Sequence, residues 1–186
     1  MENILKILGI NGSLRKGSYN KKLLNAAILL KQENIEIEVF DLKDIPMFNT
    51  DLEKEEIPEA VKIFKEKIEE SDGLLISTPE YNYSIPGALK NAIDWASRPS
   101  GNSPLIKKPV AIMGGSGGMS GTIRAQTHLR QILQHSNMMD MKRPEVLVTR
   151  IQDKFDQNGT LIDEPLIEHL KKFLISFEKW IKLFKN

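Results

Sequence analysis

The sequence contains no cysteine, which removes disulfide scaffolds, thiolate metal sites, iron–sulfur clusters and cysteine nucleophiles from consideration together. Redox chemistry, if the chain performs any, must come from a bound cofactor. An excess of one charge sign is also missing. The 26 basic and 25 acidic side chains leave a formal net charge of +1, so no long-range field favours nucleic acid or an anionic membrane surface. No apolar run is long enough to cross a bilayer. Met1 to Lys6 shows no basic segment leading into an apolar stretch and a cleavage site, and a cytoplasmic address is the expectation. What remains is small-molecule chemistry.

A chain of 186 residues, 40% hydrophobic and 27% charged, is sized for one domain with its own core, and residues 1–186 read as a single unit. Short apolar runs alternate with helical periodicities. Ile4 to Ile10 reads as a buried strand, and Leu23, Leu24, Ala27, Ile28 and Leu30 recur at helical spacing. Ile35 to Phe40 is strand-like, Pro58 opens a helix carrying Val61, Phe64 and Ile68 on one face, and Gly73 to Thr78 is a second buried strand. Pro86 to Ser97 reads as a helix, Pro109 to Met113 as a strand, Thr122 to His135 as a helix and Glu145 to Thr149 as a last strand. The closing helix has Leu166, Leu170, Phe173, Phe177, Ile181 and Phe184 in one stripe. Five strands alternating with amphipathic helices predict a doubly wound α/β fold, a parallel sheet with helices on both faces. Arg98 to Pro109 and Asp153 to Pro165 read as surface loops rather than domain boundaries.

Ligands of such sheets bind beyond the carboxyl ends of the strands, which singles out three loops. The first runs Gly12-Ser13-Leu14-Arg15-Lys16-Gly17-Ser18-Tyr19-Asn20. Its backbone N–H groups at a helix start form a phosphate seat, supplemented by the Ser13 and Ser18 hydroxyls and the Arg15 charge. A Walker A loop is rejected, because Ser18 and Tyr19 stand where Lys and Ser or Thr are required. The dinucleotide fingerprint is not met at Gly9, Gly12 and Arg15, but Asp41, near the position of its ribose-binding acid, keeps that reading open as the minority one. The second loop, Thr78-Pro79-Glu80-Tyr81-Asn82-Tyr83-Ser84-Ile85-Pro86-Gly87, is stiff and aromatic and suits a wall against a flat ring. The third, Gly114-Gly115-Ser116-Gly117-Gly118-Met119-Ser120-Gly121, lets main chain approach a ligand closely. Packing tyrosines in the second and a plain flexible loop in the third are the competing readings.

These loops, together with the continuation Ala88-Leu89-Lys90-Asn91-Ala92-Ile93-Asp94-Trp95, resemble the NADPH-dependent FMN reductase family, which has a flavodoxin-like fold and includes quinone, chromate and azo-dye reductases. The resemblance runs from the first strand to the helix after Gly121 and is weak beyond Pro144. It implies one FMN, with Ser13, Arg15, Ser18 and Asn20 at its phosphate and Pro79, Glu80, Tyr81 and Asn82 along the ribityl chain and one ring edge. It places Gly115, Ser116, Gly117 and Gly118 at the pyrimidine side. NADPH or NADH would reduce the flavin and leave, and a small-molecule acceptor would then take the electrons from the same face. No side chain need act as acid or base, so no catalytic residue is named. The resemblance also implies a homodimer, or a homotetramer of two such dimers, with Trp95 and its helix near the subunit contact.

The alternative is a flavodoxin-type electron carrier without NAD(P)H turnover, against which the near-zero charge speaks. A receiver-type signalling domain needs paired acids after the first strand, where Asn11 and Gly12 stand. His128 and His135 lack a third ligand for a metal. Met119 is placed beside the ring, and Arg124 and Arg130 are the candidate contacts for a nucleotide 2′-phosphate.

Overall fold

The computed structural model describes residues 4–185; the reading of Met1 to Asn3 as free of a leader lies outside them. Strands β1 (Leu5–Asn11), β2 (Ile35–Phe40), β3 (Gly73–Ser77) and β4 (Pro109–Gly115) form a parallel sheet in the order β2-β1-β3-β4. The fifth position is shared by two short strands. β5 (Met139–Asp140) pairs with the start of β4, and β6 (Val146–Val148) pairs with its end. The expected last strand is β6; β5 is an addition, because two residues leave no periodicity in a sequence.

Alternation along the central strands decides which helix packs where. Leu5, Ile7, Leu75, Ala111 and Met113 face a layer of α1 (Tyr19–Leu30) and α6 (Glu164–Lys182). Leu8, Ile10, Leu74, Ile76, Val110 and Ile112 face α3 (after α2, Thr50–Glu55), α4 and α5, which span Glu59–Glu70, Gly87–Ala96 and Ile123–His135. Every residue of β3 is buried, as a strand covered on both faces requires. The α6 stripe is buried from Leu166 to Ile181. That helix starts at Asp163, whose carboxylate accepts the Leu166 N–H at 3.0 Å and pairs with Lys154. The hydrogen bond from Lys154 and that from the helix N–H hold its carboxyl below the ordinary aspartate range.

The chain leaves β1 toward β2 on one side and returns to β3 on the other, which makes the β1–β3 boundary the topological switch point. Asn11, Ser77 and Met113 lie in register across β1, β3 and β4. The three loops singled out by sequence therefore leave the sheet side by side.

Candidate functional site

The loop after β1 is organised by its own polar side chains. Asn11 donates to the Ser13 carbonyl at 2.6 Å, Ser13 Oγ accepts the Arg15 N–H at 3.3 Å, and Ser18 Oγ accepts the Lys21 N–H at 3.2 Å as the cap of α1. Ser13 and Ser18 are buried, whereas Arg15 is exposed. Among the described residues, the N–H groups of Leu14, Lys16, Gly17, Tyr19 and Asn20 meet no acceptor, and the Arg15 guanidinium meets no partner. Unpaired donors converging on a helix start form an anion seat, and the helix dipole adds to it.

The loop after β3 closes on itself. Tyr81 and Ser84 exchange both backbone hydrogen bonds, at 2.9 and 3.0 Å, and Asn82 and Tyr83 between them have φ of 49° and 65°. Two consecutive left-handed residues make a hairpin turn of the primed type, which holds the tyrosines in fixed directions. The Tyr81 hydroxyl lies 3.2 Å from Ser13 Oγ and ties this loop to the first. Tyr83 is covered by the Arg124 guanidinium, 4.2 Å from the ring centroid. Pro79 is buried and Asn82 exposed.

Glu80 turns the other way. Its carboxylate accepts the N–H groups of Arg124 at 3.0 Å and Ala125 at 3.2 Å and pairs with the Arg124 guanidinium. Helix α5 begins at Thr122, whose φ is 69° and whose side chain caps nothing. A residue more than forty positions upstream thus supplies the missing cap and the negative charge a helix start favours. Glu80→Ala should cost about 1–2 kcal/mol, read as a lower urea midpoint, with Glu80→Gln losing less. A wild-type midpoint for Glu80→Ala would remove this role.

The glycine-rich loop is shorter and more firmly held than its composition suggests. Gly114 and Gly115 belong to β4. Asn20, buried in α1, clamps Gly115 from both sides: its amide donates to the Gly115 carbonyl at 3.0 Å and accepts the Gly115 N–H at 2.9 Å. Ser116 N–H bonds the Val148 carbonyl, and the Gly118 carbonyl accepts the Arg150 N–H. Gly117 and Gly118 keep N–H groups without an acceptor among the described residues. Met119 stands exposed at the tip. The structure brings Ser13 to Tyr81 and Asn20 to Gly115, but it directs Glu80 away to α5.

Trp95 packs inward from α4. It is 1% exposed, its indole donates to the Pro46 carbonyl at 2.8 Å, and Phe48 packs edge-on against it at 4.9 Å. Its side chain lies in the core. Asn91, one turn earlier, accepts the Phe48 N–H at 2.7 Å and donates to the same Pro46 carbonyl at 2.8 Å. Asn91 and Trp95 therefore pin the segment after β2 to α4, a role the sequence reading missed. The i, i+4 spacing of the two was the available signal. His128 Nδ1 lies 2.7 Å from Ser84 Oγ, a link between α5 and the β3 loop.

The model of the NADPH-dependent FMN reductase family matches residues 5–153. The chain belongs to that family. An NAD(P)H-dependent FMN reductase of Pseudomonas aeruginosa is 45% identical over 186 residues, covering both chains completely. A quinone reductase of Escherichia coli K12 is 41% identical over 188 residues, again covering both completely. Among solved structures, the flavoenzyme NAD(P)H:(acceptor) oxidoreductase FerB of Paracoccus denitrificans superposes with a TM-score of 0.91 at 36% identity, over 97% of this chain and 99% of that one. Membership of the FMN reductase family makes the chain an NAD(P)H-dependent, FMN-using oxidoreductase of flavodoxin-like fold. The electron-carrier alternative finds no support among these relatives.

Proposed function

We propose that residues 1–186 form a single FMN-binding domain that uses NAD(P)H to reduce small-molecule acceptors of the quinone type. One observation carries the site: five main-chain N–H groups and a guanidinium without partners among the described residues gather with the hydroxyls of Ser13 and Ser18 at the start of α1. That donor set fits a phosphate dianion. The unpaired N–H groups of Gly117 and Gly118 fit the carbonyl oxygens of a flavin pyrimidine.

When bound, FMN supplies two-electron redox chemistry between a reduced nicotinamide and an acceptor. The chain's part is to bind and orient. Ser13, Arg15 and Ser18 hold the phosphate; Pro79, Tyr81 and Asn82 line the ribityl chain and a ring edge; Ser116, Gly117 and Gly118 meet the pyrimidine. Asn20 and Gly115 satisfy one another, so in this reading they fix the glycine loop rather than touch the ligand. Glu80 acts at one remove, by setting the start of α5. No side chain is assigned proton transfer.

A homodimer, or a homotetramer of two such dimers, belongs to the same proposal. What it draws on is an open cleft of about 300 Å³ between α4 and α5, where Ile93 and Ile132 lie among Lys90, Asp94, His128 and His135, and the mass of the holoprotein in solution tests it. A cytoplasmic address, where reduced nicotinamide nucleotides are abundant, completes the reading.

The phosphate assignment has a direct check. Arg15→Ala with Ser18→Ala should raise the dissociation constant for FMN about ten- to a hundredfold, while the circular dichroism of the fold persists. Loss of the Ser18 cap alone costs about 1 kcal/mol of stability, so Arg15→Ala is measured separately and should account for a large share of the weakening. Undiminished flavin retention by the double variant would defeat the assignment.

A further inference from the structure

Continuous with the phosphate seat, and sharing Ser13, Leu14 and Arg15 with it, a cleft of about 270 Å³ extends on its β2 side between the loop after β1 and the end of β2. Its charge is one-sided. Beyond Arg15, which the flavin phosphate takes, Lys16, Lys21 and Lys43 line it, and among the described residues the side chains of Lys16 and Lys21 have no hydrogen-bond or ion-pair partner. Lys43 approaches only Asp44, at 4.0 Å. Two large apolar side chains, Leu14 and Val39, are left open to solvent on its walls at 54% and 40% exposure. The one acid in the lining is Asp41, which gives one oxygen to the Lys43 N–H at 3.0 Å and keeps the other free. Unpaired cations, an apolar slot and one spare acceptor together match a phosphorylated nucleoside: phosphate oxygens, a flat base, and a sugar hydroxyl or exocyclic amine.

The cations that sequence suggested for a nucleotide phosphate are occupied elsewhere. Arg124 is held by Glu80 and stacked on Tyr83. Arg130 bonds the buried Asp140 at 2.5 Å and the Met141 carbonyl at 3.1 Å. Sheet order supplies the direction. The cleft adjoins β2, whereas the aromatic and glycine loops follow β3 and β4. The separation is about two to three strand spacings, roughly 10–14 Å, which an extended dinucleotide spans.

We propose that this cleft binds the adenosine 2′-phosphate end of NADPH, with Lys16, Lys21 and Lys43 facing the phosphate and Leu14 and Val39 facing adenine. The inference rests on the reading that FMN occupies the tips of β1, β3 and β4, because that reading sets where the nicotinamide end must lie. It makes the cleft the element that favours NADPH over NADH.

The experiment uses the FMN-loaded protein and the double charge reversal Lys21→Glu, Lys43→Glu, two residues outside the proposed flavin contacts. Adenosine 2′,5′-bisphosphate is titrated by calorimetry, and KM is measured for NADPH and NADH with a quinone acceptor. The wild type should bind the bisphosphate in competition with NADPH. The variant should bind it at least about tenfold more weakly, with KM for NADPH raised by a similar factor, KM for NADH nearly unchanged, and kcat and flavin content retained. Equal bisphosphate binding by the two proteins, equal rises in both KM values, or displacement of the bisphosphate by an equal concentration of inorganic phosphate would each overturn the proposal. Calorimetry repeated on flavin-stripped protein separates the two readings. Failure to hold FMN sinks the flavin site alone, whereas unchanged bisphosphate binding in the variant sinks the cleft.

Discussion

Asn20→Ala should destabilise the protein by roughly 3 kcal/mol, since two buried backbone groups are left unpaired at about 1–3 kcal/mol each. The native side chain is 4% exposed and satisfies both the N–H and the carbonyl of Gly115. The Ser77 hydroxyl adds a bond to the Asn20 carbonyl at 2.8 Å, so α1, β3 and β4 meet at this one residue. Asn20→Asp distinguishes lost bonds from lost volume. It keeps the acceptor for the Gly115 N–H but sets an oxygen against the Gly115 carbonyl, so it should be as damaging as Ala despite its size. Urea unfolding of the three proteins reads the difference, and an aspartate variant as stable as wild type would show that the clamp does not carry the loop. The same variants should bind FMN more weakly if the glycine loop takes its shape from Asn20.

Gly114→Ala is expected to be at least as harmful, at about 3 kcal/mol or more. A Cβ at Gly114 would collide with the Thr78 carbonyl oxygen and with Thr122 Oγ1. Neither atom yields easily. The first is backbone at the end of β3, and the second belongs to a fully buried residue held at a φ of 69°, an unfavourable region for a β-branched side chain. One added methyl would therefore press on the strand ends that set all three loops. Gly87→Ala is the control: nothing lies within 4 Å of the Cβ it would add, and in the first turn of α4 it should be neutral or stabilising by up to about 1 kcal/mol. A soluble, flavin-loaded Gly114→Ala protein with an unchanged thermal midpoint would contradict the crowding argument.

How much of this was legible in the sequence follows from the range of each interaction. Gly73 to Ser77 reads as a strand because a strand covered on both faces is an unbroken apolar run, and α6 reads as a helix because its stripe repeats every three or four residues. The three loops were legible because turn chemistry is local. The partners of their side chains were not. Glu80 reaches Ala125 and Asn20 reaches Gly115 across 45 and 95 positions, and nothing in the local pattern names either target. The anchoring of Pro46 by Asn91 and Trp95 was missed for a different reason. The tryptophan was assigned by resemblance instead of by its spacing from Asn91, which places both on the face that holds Pro46. The split between β5 and β6 left no trace because a two-residue strand is shorter than any period.

That split also bears on how copies of the chain meet one another when crowded. A long, unguarded strand at the margin of a sheet invites a stray segment to add on, and repetition of that event is the route into fibrils. Here one margin is interrupted after two residues and resumes for three. The opposite margin, β2, carries Glu36 and Glu38 exposed along its length. Neither side offers a continuous template, so association between copies is steered toward helical surfaces, and the parallel core is kept out of strand-by-strand polymerisation.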